Sequence, residues 1–259
     1  MSEKSTHAFD HHQAIAHITK DDPHLSALIG KCIEFKLNID EEQSPYESLL
    51  RAIAYQSIAG KAASVIFGRI RALGSNGRVP TPEELLKVPE QGLREAGFSA
   101  AKVAAARDLA QKTIDGIVPT MEDAHKMSDA ELVERLISVR GIGAWTVEMF
   151  LIFRLARPDV LPIHDYGVQK GFALTYRKRR IPKPKELAKF GERWRPYRTV
   201  ASWYLWRAVD VAGKDARKIT KTGKAAKKRA AKKPIAAKKR ILVVKRVASK
   251  PRPSRRKSS

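Results

Sequence analysis

Cysteine is almost missing from this 259-residue chain, where Cys32 stands alone. A disulfide within the chain is excluded, as is any iron–sulfur cluster held by four thiolates, and a reducing compartment fits. Long apolar runs are missing too. No stretch approaches the roughly 20 residues a helix needs to cross a bilayer. No apolar segment follows a basic start at the N-terminus, so no secretory leader is expected. Strict apolar–polar alternation occurs nowhere at useful length. The chain therefore reads as all-α, with about ten helices joined by short loops.

Acid is scarce in one region only. From Gly213 to Ser259 there are 20 Lys and Arg against the single acid Asp215. That segment carries +19 of the formal charge of +24, which leaves +5 for the rest. A balance this basic points to a polyanion, nucleic acid before membrane. We divide the chain accordingly: residues 1–212 form a globular domain, and residues 213–259 a disordered tail rich in Lys, Ala and Pro. The tail resembles those of linker histones in composition. It would bind DNA nonspecifically through counterion release, or serve as a solubilising segment or a localisation signal.

The richest stretch runs from Leu136 to Tyr176. One helix ends, and Val139-Arg140-Gly141-Ile142-Gly143 makes a tight connector, with two glycines that permit positive φ and close backbone approach. A second helix carries Trp145, Met149, Phe150 and Phe153, and Pro158 is expected to stop it. After a short loop, His164-Asp165 opens a third helix. Each feature has two readings. The glycines make an ordinary helix-to-helix turn, or their amides face a DNA phosphate at a helix N-terminus. Asp165 is an N-cap, or a carboxylate placed for chemistry.

Elsewhere the chain offers mostly helix signals. His7, His11, His12 and His17 crowd the first 19 residues, and the spacing of His7 and His11 would suit a metal. No carboxylate or thiolate set is placed to close such a site, so a polar surface helix from about Asp10 is expected. Asp22-Pro23 starts the next helix, with Leu25, Leu28, Ile29 and Ile33 inward. Ser44-Pro45-Tyr46-Glu47 and Ser128-Asp129-Ala130-Glu131 are capping boxes, and Thr81-Pro82-Glu83-Glu84 caps a short helix. Gly97-Phe98-Ser99 opens an alanine-rich helix to about Ile114, on which Lys102 reaches a phosphate or is a solvated charge. Trp203, Tyr204 and Trp206 crowd the last helix, and the four tryptophans suggest one cluster.

Four of these segments resemble the helix-hairpin-helix DNA glycosylases, in particular the DNA-3-methyladenine glycosylase II branch. They are V-R-G-I-G-A-W-T from Val139, L-P-I-H-D-Y-G-V-Q-K-G from Leu161, G-F-S-A-A-K from Gly97, and W-R-P-Y-R with its aromatic final helix from Trp194. Ala54 to Ala63 resembles a further segment that lies at the DNA in that family. The resemblance implies two helical subdomains with the active cleft between them, and no room for the N-terminal β domain of some relatives.

It also implies roles. Asp165 is the catalytic carboxylate, acting ionised, and Trp145, Met149, Tyr166 and Trp206 line an electron-rich base pocket. Gln56, Ser57, Ile58 and Lys61, with Arg140, Gly141, Ile142 and Gly143 of the hairpin, face DNA. Ser57 or Ile58 stands where relatives plug the gap left by the extruded nucleotide, though serine is a small plug. Trp145 stands where bifunctional relatives carry a nucleophilic lysine, so base removal without strand cleavage is expected. No cofactor is required. The carbonyls of Ile137, Val139 and Ile142 match those that hold a Na or K ion at the hairpin of relatives. The implied activity is excision of alkylated purines in base excision repair, by a monomer on double-stranded DNA with a damaged base. The implied location is cytoplasmic and nucleoid-associated, or nuclear in a eukaryote. Two other readings stay open: a noncatalytic DNA-compacting protein, and a glycosylase for uracil, ethenoadenine or an oxidised purine.

Overall fold

The structure, a computed structural model, describes residues 9–37, 39 and 43–213. His7 and the basic segment from residue 214 lie outside the described residues. Among the described residues there is no strand, and thirteen α-helices where the sequence suggested about ten. They are α1 (His11–Thr19), α2 (Pro23–Ile29), α3 (Pro45–Tyr55), α4 (Gly60–Arg71), α5 (Pro82–Lys87), α6 (Glu90–Glu95) and α7 (Ala100–Ile114). Then come α8 (Met121–Lys126), α9 (Asp129–Ile137), α10 (Ala144–Phe153), α11 (Tyr166–Thr175), α12 (Pro184–Gly191) and α13 (198–213). Residues 1–209 make one unit. A second begins at Asp210, and its described part is the last turn of α13.

The helices start where the capping signals place them. Ser44 Oγ accepts from the Glu47 amide at 3.2 Å, and the Glu47 carboxylate accepts from the Ser44 amide at 3.1 Å. Thr81 with Glu84 and Ser128 with Glu131 repeat the reciprocal box. Each such cap stabilises its helix by about 1 kcal/mol.

Packing sorts the helices into two groups. In the first, α3 packs on α4, α7 and α10, α7 packs on α5 and α6, and α10 packs on α9. The small face of α7 (Val103, Ala106, Ala110) and the inner face of α3 (Leu49, Leu50, Ile53) are buried in this core. In the second, α1 packs on α2 and meets the turn Glu192–Trp194, α2 meets α11, and α12 packs on both α11 and that turn. α13 lies directly on α11: a Cβ added at Gly171 would fall 1.8 Å from the Leu205 carbonyl oxygen.

The segment between α10 and α11 is tied to the start of α13. Arg198 Nε donates to Asp159 Oδ1 at 2.6 Å, and Arg195 Nη1 to Asp159 Oδ2 at 2.7 Å. Thr199 Oγ1 donates to the Arg157 carbonyl at 2.6 Å and accepts from the Val160 amide at 3.0 Å. These bonds fix the approach to Asp165.

Three local expectations are corrected. α10 ends at Phe153, ahead of Pro158, and the chain turns through Ala156 at φ 50°. Ile33 lies beyond the end of α2 and is 68% exposed, because α2 stops at Ile29. The tryptophans form no single cluster: Trp194 and Trp203 are buried in the core, while Trp145 and Trp206 flank Asp165.

Candidate active site

Asp165 is both a cap and the centre of a polar cluster. As N-cap of α11, its Oδ1 accepts from the Val168 amide at 2.8 Å. The same oxygen accepts from Trp206 Nε1 at 2.8 Å, and Oδ2 accepts from Trp145 Nε1 at 2.8 Å. Two indoles from helices distant in sequence therefore fix one carboxylate, which capping alone would not require. Trp206 also stacks on Phe153, with centroids 5.8 Å apart. Behind the carboxylate, Gly167 leaves room for the indole: a Cβ there would lie 2.8 Å from Trp206 Cδ1 and 3.0 Å from Asp165 Oδ1.

In front of Trp145 a cleft of about 420 Å³ opens between α3 and α10. Ser48, Ala52 and Tyr55 line one wall, and Trp145, Met149 and Phe153 the other. The size suits a small flat ligand, and the lining is largely apolar and aromatic. Arg51 lies over the Tyr55 ring, 4.3 Å from its centroid. Of the four residues expected in the base pocket, Trp145 and Met149 line this cleft. Trp206 reaches the site through Asp165. Tyr166 is 63% exposed, with Lys170 6.0 Å from its ring, and it is not among the lining residues.

The connector between α9 and α10 is braced from two sides. Gly141 takes φ 78° and rests against α7, where a Cβ would meet that of Ala105 at 3.2 Å. Asp108 Oδ2 accepts from the Arg140 amide at 2.7 Å and from Lys112 Nζ at 2.9 Å, and Lys112 also donates to the Ser138 carbonyl. From the other side, Gln56 Nε2 donates to the Gly141 carbonyl at 2.8 Å. Gln56 is thus a tether to the hairpin as well as a residue of the facing turn. That turn holds Ser57 at φ 59° and leaves Ile58 38% exposed, with Lys61 on the first turn of α4.

Lys102 neither reaches outward nor lies solvated. Its Nζ donates to the Ala54 carbonyl at 2.8 Å, at the end of α3, and burial pulls its pKa down.

Not every hairpin amide is available to a ligand. The Arg140 amide serves Asp108, and the Ile142 amide donates to the Val139 carbonyl at 3.0 Å. The amides of Gly141, Gly143, Ala144 and Trp145 donate to no acceptor among the described residues. Gly143 has ordinary backbone angles, contrary to the expectation of two positive-φ glycines, and a Cβ on it would meet nothing within 4 Å. Its bareness suits an external group approaching the N-terminus of α10 closely, which is where an anion is favoured.

Glu148 escaped the sequence reading. It is the only charged residue of α10, and that isolation in an apolar helix was the available signal. It is partly buried, and burial with the charge of Asp165 pushes its carboxyl up to about 7. Away from the cleft, the fold adds an exposed group that the histidine spacing did not foretell. Glu34 comes to 3.7 Å from His11 Nε2, and with His12 it offers three ligand atoms within 4.8 Å of one another.

Comparison with known proteins agrees with this geometry. The family described as HhH-GPD superfamily base excision DNA repair protein matches residues 50–196. DNA-3-methyladenine glycosylase 1 of Schizosaccharomyces pombe is 43% identical over 172 residues, 66% of this chain and 75% of that protein. A solved structure of the S. pombe 3-methyladenine DNA glycosylase in complex with abasic DNA has a TM-score of 0.68 at 39% identity, and covers 75% of this chain and 95% of that one. The DNA-3-methyladenine glycosidase from Bacillus halodurans has a TM-score of 0.69 at 34% identity, and covers 75% and 88%.

Proposed function

The chain belongs to the HhH-GPD superfamily of base excision DNA repair proteins, and from that membership we propose that it is a DNA glycosylase excising alkylated purines of the 3-methyladenine type. One observation carries the reading: the Asp165 carboxylate, fixed by two indole N–H groups beside an aromatic cleft. A glycosylase extrudes its target nucleotide and stacks the base in a pocket. As the bond from base to sugar breaks, positive charge grows on the sugar ring. A rigid carboxylate below it lowers that barrier without reorganising. The rings of Trp145 and Tyr55 offer faces to a cationic alkylpurine, each contact contributing about 0.5–2 kcal/mol. A cationic base is also the better leaving group, so selectivity comes partly from the weakness of the damaged bond.

The substrate is a damaged duplex, bound by a monomer. Its phosphate would sit at the open amides of Gly143, Ala144 and Trp145, positioning the DNA without reading sequence. Ser57 and Ile58 on the facing turn would fill the space left by the extruded nucleotide, Ile58 being the larger exposed side chain. The reaction would remove the base without cutting the strand. Among the described residues no lysine lines the cleft, and the indole of Trp145 is held on Asp165, which supports a reaction without an amine nucleophile. Among the described residues the carbonyls of Ile137, at the end of α9, and of Ile142, in the connector, accept no bond outside a helix, and that of Val139 accepts one from the Ile142 amide, a set of oxygens suited to Na or K. Such an ion would hold the hairpin's shape. No described helix is long and apolar enough to cross a membrane; a place at the nucleoid, or in the nucleus of a eukaryote, follows from the DNA substrate.

Single-turnover base release from a duplex with one 3-methyladenine tests the reading, using wild type and Asp165→Asn, with breaks scored before and after alkali. Breaks that need alkali, abolished in Asp165→Asn, are expected. Tight DNA binding by both proteins with no release from any lesion in a panel would reject it in favour of a noncatalytic DNA-binding protein. Release confined to uracil, ethenoadenine or oxidised purines would move the substrate class.

A further inference from the structure

Three metal-ligating side chains meet where the start of α1 faces the segment that follows α2. His11 Nε2 lies 3.7 Å from Glu34 Oε1, and the imidazole rings of His11 and His12 have centroids 4.1 Å apart. One ligand atom from each of the three residues lies within 4.8 Å of the other two. Adjacent imidazoles alone make a poor metal site, because a stable one needs three or four ligands. The sequence showed no carboxylate to complete the set, and the fold brings one in from beyond α2.

The backbone under these groups is anchored on both sides. The Asp10 carboxylate accepts from the amides of His12 at 2.8 Å and Gln13 at 3.2 Å, which sets the first turn of α1, and Ala14 and Ile18 of that helix are buried. Glu34 immediately precedes Phe35, which is fully buried and meets Trp203 edge-on with centroids 5.3 Å apart. The Phe35 ring also lies 6.3 Å from that of His11. His11 is thus the inner ligand, and His12 and Glu34 are the exposed ones. The chain has 51 Lys and Arg against 27 acids, yet the salt-bridge partner of Glu34 among the described residues is His11.

The donor set narrows the ion. Calcium and magnesium favour oxygen ligands throughout. Imidazole nitrogen suits the later first-row ions, and zinc takes two nitrogens with one carboxylate oxygen and keeps water in a fourth position. Ligands at about 2.0–2.2 Å from zinc stand about 3.4 Å from one another in a tetrahedron, so the exposed side chains need close in by only about 1–1.5 Å. We propose that His11, His12 and Glu34 hold a zinc ion that clamps α1 to the segment bearing Phe35. The role is structural and lies outside the reacting site. Phe35 rests on Trp203 and Tyr204 of α13, so the clamp braces the N-terminal helix against the helix that carries Trp206 to Asp165.

Zinc chloride titrated into chelator-treated full-length protein, followed by calorimetry, tests this, with melting recorded with and without zinc. The proteins are wild type, His11→Ala, Glu34→Gln and His125→Ala. Wild type should take up one zinc per chain, and its Tm should rise by about 5–10 °C at a zinc concentration about a hundred times Kd. His11→Ala and Glu34→Gln should each bind about 10–100-fold more weakly, at least the loss that follows removal of a group behind a ligand, and the rise should vanish. Glu34→Gln alters no helical residue, so it keeps the test decisive should His11→Ala disturb α1. His125→Ala, on α8, should match wild type. Equal uptake by wild type and both site variants would overturn the assignment, because another group would then hold the ion. No uptake by wild type, or uptake without a rise in Tm, would overturn it as well. Weakened binding in His11→Ala with Glu34→Gln unchanged would refute the three-ligand site in favour of histidines alone.

Discussion

Replacing Gly171 by alanine should damage the site from six residues away. Gly171 is buried on α11, the helix capped by Asp165, and it faces the backbone of α13 just before Trp206. An added Cβ would lie 1.8 Å from the Leu205 carbonyl oxygen and 2.6 Å from its carbonyl carbon. Neither neighbour is the flexible end of a side chain. Contact distances for carbon lie near 3.5 Å, so the two helices must part by about 1.5 Å. Overpacking of this kind costs about 3 kcal/mol, at the upper end of its usual range. For a domain of this size that lowers Tm by about 6–12 °C. The parting also moves Trp206 away from Asp165, and their 2.8 Å bond would exceed hydrogen-bonding range. Misplacement of a catalytic group by about 1 Å can cost 10²-fold. Thermal melts followed by circular dichroism, and single-turnover base release at a temperature where the variant remains folded, should show both losses. A variant that melts within 2 °C of wild type (roughly half a kilocalorie) and releases base at the wild-type rate would refute the account of how α11 and α13 meet.

Gly143→Ala is the complementary case. Its Cβ meets nothing within 4 Å, so melting should change by less than about 1 kcal/mol while affinity for duplex DNA falls several-fold, read by fluorescence anisotropy. Gln56→Ala removes the tether on the Gly141 carbonyl and should weaken DNA binding about tenfold; because the bond is exposed and water can replace it, the cost in urea should be no more than about 1 kcal/mol. Glu148→Gln should change the pH dependence of stability. The folded state holds the Glu148 proton up to about 7, against an ordinary 4.5, so it binds more protons than the unfolded chain between those values. Wild-type stability therefore falls as pH rises from about 5 to 8, and Glu148→Gln should lose that fall, about 1–2 kcal/mol after allowing for solvent screening of a partly exposed group. Parallel urea titrations of the two proteins at pH 5 and pH 8 that show the same pH dependence would contradict it.

What the sequence made legible was local. Capping boxes at Ser44 and Ser128, the cap at Thr81 and the span of α7 are written in neighbouring residues, and the structure has them in place. Asp165 was legible as a cap, and family resemblance added its chemical role. What pattern could not give was which distant groups meet. The bonds Trp145–Asp165 and Trp206–Asp165 join residues 20 and 41 apart. Lys102 to Ala54, and Gln56 to Gly141, span 48 and 85. Lys102 and Gln56 carry the same letters whether solvated, bound to phosphate or bound to a carbonyl, and only the packing of α3 on α7 decides among these.

That packing yields a unity the motifs hide. α7 presents Lys102, Ala105, Asp108 and Lys112 at helical spacing on one face, and that face touches both turns that would meet DNA. Lys102 holds the end of α3, where the Gln56–Ser57 turn begins, while Ala105, Asp108 and Lys112 hold the hairpin. Gln56 then joins the turns directly. A nucleotide can be extruded only if the element that fills its space and the element that grips the backbone keep a fixed separation. One helix bracing both elements meets that requirement with few residues. It also explains why the charges on this face are spent on internal carbonyls and amides, while Lys61 and Arg140 stay exposed, where they would attract a duplex.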